Sequence, residues 1–298
     1  FDLTPERVRK VYDTVARNGM NAAELGEGLR VCGIVDFKES KLQQVFDKVS
    51  MQGLTVTPDE FEAVLSRLKL AQLLFVDADG HSHLNDAVGN AEALSFRSHK
   101  NHVLSYLDYN DSGARQPVQV TDRNLLQFYF GHRATTWSTS DDRLVRWVHL
   151  SSLEPTMLMS LTVKYSLHPL AVEDVLEQCP TKIARYGIHY VVAIEQLCLA
   201  GPFNECSQTT RSGREKVQVV GHHLTIFCSG PPALDTVITV SQTDRSFALD
   251  WPGGVSKENT PTQNDLWATK LRQRFCKGRS RICERRADYL TYQIVDLC

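Results

Sequence analysis

Leu144-Val-Arg-Trp-Val-His-Leu150 and the run that follows it, from Pro155 to His168-Pro-Leu-Ala-Val-Glu-Asp-Val-Leu-Glu177, decide the class of fold. The first segment is short, apolar and rich in β-branched and aromatic residues, as a buried strand requires. The second carries helical spacing, and Pro169 fits the first turn of a helix, where no backbone N–H is needed. Further strand-like runs lie at Leu104 to Tyr109, Ile188 to Ile194, Val217 to Val220, His222 to Phe227 and Val237 to Val240. Gly201 to Lys216 reads as a polar mobile loop, and the sequence from about Asp265 is helical again. Strands interleaved with helices on one core predict an α+β domain.

Upstream the texture is different. Residues 1–72 predict four short helices. Thr4-Pro5 is a cap followed by Pro, and Val8, Val11, Tyr12 and Val15 recur at helical spacing. Asp36 with Glu39, and Thr57 with Glu60, have capping-box spacing. Leu42, Val45, Phe46 and Val49, then Phe61, Val64, Leu65 and Leu68, supply matching inner faces. Residues 73–102 are polar and bear Gly and His, and read as a linker.

Composition narrows the function. The chain has 298 residues, with 33 basic against 35 acidic side chains and a net charge of −2. That balance excludes a surface built for nucleic acid. No apolar run approaches the length of a membrane helix, so the segment itself is expected to be soluble. Eight cysteines are scattered without a C-x-x-C pair, as reduced thiols would be. Phe1 opens the chain with no leader behind it, and Gln293 to Cys298 stops within helical texture, which predicts a piece of a longer protein.

Several patterns invite a chemical reading. Asp13 to Glu24 spans twelve positions with apolar Met20 at the eighth, and this region resembles a pair of EF-hands. Val15 and Arg17 stand where calcium needs side-chain oxygens, and Asp47 and Glu60 are too far apart for a second loop. The pair is therefore degenerate, a scaffold for packing or docking, and Ca2+ is not expected. Asp77, Asp79, His81 and His83 read as a solvated loop, and Asp108 to Gly113 as a turn after a strand. His222 and His223 alternate faces of a strand, which does not suit shared ligation. No nucleophile elbow, P-loop or dinucleotide fingerprint is present, so no enzyme is expected. Seven cations between Arg272 and Arg286 form either a solvated helix end or an anion-attracting patch. The sharpest cluster is on the helix after Pro169. Glu173 and Glu177 lie one turn apart with Asp174 beside them, and such carboxylates repel unless a cation or a basic partner compensates.

Five segments in order resemble the soluble N-terminal domain of the CorA family of magnesium channels. They are Val145 to Leu150, Leu167 to Leu176, Pro180-Thr-Lys-Ile-Ala-Arg-Tyr-Gly-Ile-His-Tyr190, Val237-Ile-Thr-Val240, and Arg286-Ala-Asp-Tyr-Leu-Thr-Tyr-Gln-Ile-Val-Asp296. The likeness covers about 103–298. It implies a CorA-type αβα domain over 103–284, preceded by the EF-hand-like region 1–72 and the linker 73–102. Residues 285–298 would open a long stalk helix, about 20 Å of it. It also implies a pentameric ring whose transmembrane helices lie downstream, in a plasma or organelle inner membrane, with this region on the cytosolic or matrix side. In such a ring Asp174 would bind regulatory Mg2+ weakly between subunits, with Glu173 and Glu177 as helpers, so that intracellular Mg2+ gates transport. The family's filter tripeptide Gly-Met-Asn recurs here as Gly19-Met20-Asn21, but without the membrane helix that should precede it. The competing expectation is a binding module whose EF-hand-like scaffold docks partner helices, or whose basic tail meets anionic lipid.

Overall fold

The computed structural model describes residues 5–16, 19–34, 39–49, 55–76, 82–84, 104–121, 123–131, 144–151, 153, 155–199, 219–241, 266–276 and 281–298. The chain is mixed α and β, and it divides into two compact units. One comprises 1–95, 122–133 and 155–172, and the other 96–121, 134–154 and 173–298.

The first unit opens with α1 (Pro5–Val15), α2 (Ala22–Val31), α3 (Glu39–Val49) and α4 (Pro58–Leu73). Reciprocal backbone bonds between Met20 and Val56 (3.2 and 2.8 Å) tie the loop before α2 to the loop before α4. Tyr12 of α1 adds a bond from its hydroxyl to the Val56 carbonyl at 2.7 Å. Met20, Leu25, Leu29, Val56 and Phe61 are sealed within one apolar cluster. Within the expected linker, β1 (Leu74–Val76) and β2 (Ser82–Leu84) pair antiparallel. The Asp77, Asp79 and His81 pattern falls outside the described residues, as does the loop 201–216. The unit is completed by α5 (Leu125–Phe130), α6 (Pro155–Tyr165) and the start of α7 (Pro169–Leu176). The helical sequence expected from Pro155 forms two helices, and the second starts at Pro169, the expected first-turn residue. Between them Ser166 takes a left-handed backbone (φ 52°).

The second unit is built on an eight-stranded sheet of order β4-β3-β6-β10-β9-β8-β7, with β5 also pairing β3. These strands are β3 (Leu104–Asn110), β4 (Gly113–Ala114), β5 (Val118–Val120), β6 (Val145–Leu150), β7 (Lys182–Tyr186), β8 (His189–Leu199), β9 (Val219–Ser229) and β10 (Thr236–Ser241). Every pairing is antiparallel except β6 with β10. The two runs expected on either side of Gly221 are one strand, β9. Two helices, α8 (Leu266–Cys276) and α9 (Ala287–Leu297), close one face. Trp267, Leu271 and Phe275 of α8 and Leu290 and Ile294 of α9 bury against Val145, Trp147, Ile226 and Val237. An Arg274–Gln293 hydrogen bond joins the two helices. Each large side chain so buried contributes roughly 1.5–3 kcal/mol.

Most polar groups buried in the sheet are paired, although the Tyr109 hydroxyl has no hydrogen-bond partner among the described residues. Arg146 and Asp108 sit opposite each other in register and form a two-pronged pair with both bonds at 2.6 Å. Both side chains are about 5% exposed, and the Tyr106 ring lies 4.7 Å from the guanidinium. On the other face Trp147 Nε1 donates to Thr239 Oγ1 at 3.0 Å, and His149 Nδ1 lies 2.8 Å from the same oxygen. If His149 carries its proton on Nδ1, Thr239 accepts twice and donates to the Val148 carbonyl, and every donor in the group is satisfied. His149 Nε2 then remains a bare acceptor with no protein partner. Burial, reinforced by the charge of Arg272, lowers the His149 pKa to about 3.

Two outcomes follow from these groups. Asp108→Ala or Arg146→Ala alone is expected to lower unfolding free energy by about 3–5 kcal/mol, since each strands a buried charge. The Asp108→Leu/Arg146→Met pair should recover most of that loss in urea titrations. His149 is neutral when folded but gains a proton near pH 6.5 when unfolded, so its contribution is complete above pH 6.5 and declines as pH falls toward 3. Between pH 7 and 5 that decline amounts to about 2 kcal/mol. His149→Gln should remove about that much of the measured difference in stability between the two pH values.

Candidate functional site

Helix α7 owes its start to His168, whose Nδ1 accepts from the Leu170 amide at 3.2 Å while its carbonyl accepts from Ala171 and Val172. Its inner side is Ala171 and Val175, both buried. It stops in a Schellman turn: the Cys179 amide bonds back to the Asp174 carbonyl (3.0 Å) and the Gln178 amide to that of Val175 (3.4 Å). Gln178 takes the left-handed position (φ 54°) that glycine usually fills. Pro180 then prevents any continuation, and β7 begins two residues later.

Strand alternation on β7 decides what meets the helix. Ile183 and Arg185 point outward, while Lys182, Ala184 and Tyr186 share the opposite, half-buried side. By register that side is the face away from α8 and α9, because Ile183 pairs with Val192, and Val192 packs into the cluster beneath those helices. Asp174 reaches it. Lys182 Nζ lies 2.5 Å from Asp174 Oδ2, and the Tyr186 hydroxyl donates to the same oxygen at 2.8 Å. Cys179 Sγ donates to Oδ1 at 3.1 Å, and Lys182 also donates to the Tyr186 oxygen at 3.2 Å. Burial alone would raise the Asp174 pKa, but the bonds from Lys182, Cys179 and Tyr186, with the lysine's charge, hold it below the usual carboxylate value. The carboxylate in turn raises the pKa of Lys182 and keeps the Cys179 thiol protonated.

The three carboxylates are thus divided. Glu173 on α7 and Glu177 in the turn just past its end are exposed, whereas Asp174 turns inward to β7. Among the described residues no three His, Cys, Asp or Glu side chains gather closely enough to hold a metal. Magnesium needs oxygen ligands in octahedral array. Both Asp174 oxygens already face hydrogen donors, and an ammonium stands where a cation would stand, so the residues present do not fit Mg2+ at Asp174. The basic partner came from β7, a strand placed by neither the periodicity of α7 nor the apolar run that begins at Ile188. The alternation of Lys182-Ile-Ala-Arg-Tyr186 before Gly187 was the available signal.

The EF-hand-like loops divert their acids in a similar way. Because Met20 pairs with Val56, Val56 occupies the eighth position of the second loop, and its twelve residues run from Val49 to Glu60 rather than from Asp47. Val49, Met51 and Gly53 then stand at the first, third and fifth positions, where no side-chain oxygen is offered. Glu24 and Glu60, at the twelfth positions, turn back to accept from the amides of Asn21 (3.0 Å) and Thr57 (2.8 Å) and complete capping boxes. Gly19-Met20-Asn21 is absorbed by the same loop: Gly19 has φ 90°, Met20 is buried, and Asn21 caps α2.

The basic stretch is not one patch. Arg272 is buried beside Trp147, Arg274 bonds Gln293, and Arg286 donates to the Pro232 carbonyl at 3.3 Å. Arg281 and Arg285 are exposed, and Lys277 and Arg279 lie outside the described residues. No helix among the described residues is long and apolar enough to cross a membrane. No protein-family model matches the chain, and no curated protein matches it. For the helical region, added Ca2+ should leave the melting temperature unchanged. Occupation at a hundredfold excess over Kd would instead add about 2.7 kcal/mol, a shift readily seen by calorimetry.

Proposed function

We propose that this chain is the soluble regulatory domain of a CorA-type magnesium channel, lying on the cytosolic, matrix or stromal side of a membrane in a pentameric parent. The observation that carries the reading is the coincidence of sequence likeness with layering. The five similar segments include β6, α7, β7, β10 and α9, which together form a mixed sheet with helical residues on both faces. The last of them, α9, buries Ala287, Leu290 and Ile294 against the sheet unit and leaves Tyr292 and Val295 exposed. A helix seated on one side, with Tyr292 and Val295 among the aspartates of its outer side, leaves apolar groups free to meet neighbouring subunits.

In this reading Mg2+ is the transported ion, and its intracellular concentration is sensed at the seam between subunits. The groups α7 offers there are the exposed carboxylates of Glu173 and Glu177. Two carboxylates one turn apart suit a weakly held, hydrated divalent ion. The test is Mg2+ flux into liposomes carrying the full-length gene product. Flux that falls as Mg2+ rises on the side bearing this domain is expected, with Glu173→Gln/Glu177→Gln requiring several-fold more Mg2+ for the same inhibition. Absence of divalent flux overturns the assignment, and flux indifferent to Mg2+ on that side overturns the regulatory role.

A further inference from the structure

We propose that Lys182 is a tethered cation standing in for a divalent ion at Asp174, so that the chain closes the junction of α7 and β7 by itself and this carboxylate does not respond to Mg2+. The geometry is a closed circuit. Lys182 Nζ contacts Asp174 Oδ2 and the Tyr186 oxygen, and the Tyr186 hydroxyl returns to Oδ2. Cys179 holds the remaining oxygen. All of these groups lie between 174 and 186, so the ammonium is delivered over a short stretch of chain at high effective concentration. A free Mg2+ would have to displace it, shed waters from a tightly held shell and leave the Tyr186 and Cys179 donors without their acceptor. It would gain one carboxylate only, since Glu173 and Glu177 face away.

The circuit also has a mechanical role. Among the described residues β7 is an edge strand paired only with β8, and the clamp fastens it to the helix that precedes it. A sheet edge that depended on a dissolved cation would loosen when the ion was withdrawn; one held by Lys182 would not. The inference concerns contacts within one chain and stands whether or not the chain serves a channel.

The test uses the full chain and MgCl2, with NaCl of equal ionic strength as the control. Wild type is expected to melt at the same temperature in both. Lys182→Met should melt lower in NaCl and recover by a few degrees in millimolar MgCl2, and Lys182→Met/Asp174→Asn should lose that recovery. A wild-type shift in MgCl2 that Asp174→Asn abolishes would overturn the proposal, as would a folded Lys182→Met that ignores MgCl2. Should Lys182→Met fail to fold, Mn2+ added to the wild-type and Asp174→Asn chains decides: the same broadening around residues 174–186 in both is expected, and broadening that Asp174→Asn abolishes overturns it. A Mg2+-responsive Asp174 would sink the tethered cation and leave the channel reading intact, whereas absent flux would do the reverse.

Discussion

A carboxylate only 17% exposed must be met by donors or give up its charge, and Asp174 is met. The requirement reaches well beyond one side chain. It sets the length of α7, because the Schellman turn that frees Cys179 to donate also ends the helix. It matches the face of β7 that carries Lys182 and Tyr186, the groups that meet the charge. Through the pairing of β7 with β8 it helps to fix where an eight-stranded sheet stops growing.

The opposite face of the sheet obeys a different rule. There α8 and α9 bring Trp267, Leu271, Phe275, Leu290 and Ile294 against strand residues with almost no polar interruption. Where polar atoms are admitted, in the Trp147–Thr239–His149 group, they are arranged so that one hydroxyl serves both rings. Apolar area supplies the bulk of the stability on this face, and the shared Thr239 hydroxyl satisfies the ring donors of Trp147 and His149 even though His149 Nε2 and the Tyr109 hydroxyl stay unmatched.

How much of this was legible in the sequence depends on the range of the interaction. The strands β6 and β10 and the helices α1 to α4 carry their own periodicity, and caps such as Thr57 with Glu60 are local pairs. The helix α5 is six residues long and β4 two, too short for any period to register. The start of α7 at Pro169 was legible, whereas the left-handed Ser166 just after α6 was not, since serine seldom adopts that conformation. At the candidate site the carboxylates of α7 were legible as a cluster needing compensation. The compensating group was not, because Lys182 meets Asp174 only after a reversal that depends on Gln178 accepting a glycine-like backbone.

The same distinction explains why, among the described residues, metal-like patterns recur without metal-like geometry. A sequence names oxygens at a spacing; it does not say which hydrogens will reach them first. Glu24 and Glu60 stand at the positions that would close a calcium loop, yet each is within reach of a helix-start amide lacking any other partner, and each turns to it. Asp174 stands where the resemblance implies a shared divalent ion, yet a lysine on the next strand already meets it at 2.5 Å. In all three places a donor fixed in the same chain competes with an ion that must be captured from solution and dehydrated. The tethered donor has the advantage of proximity, because it needs no capture from solution and no dehydration.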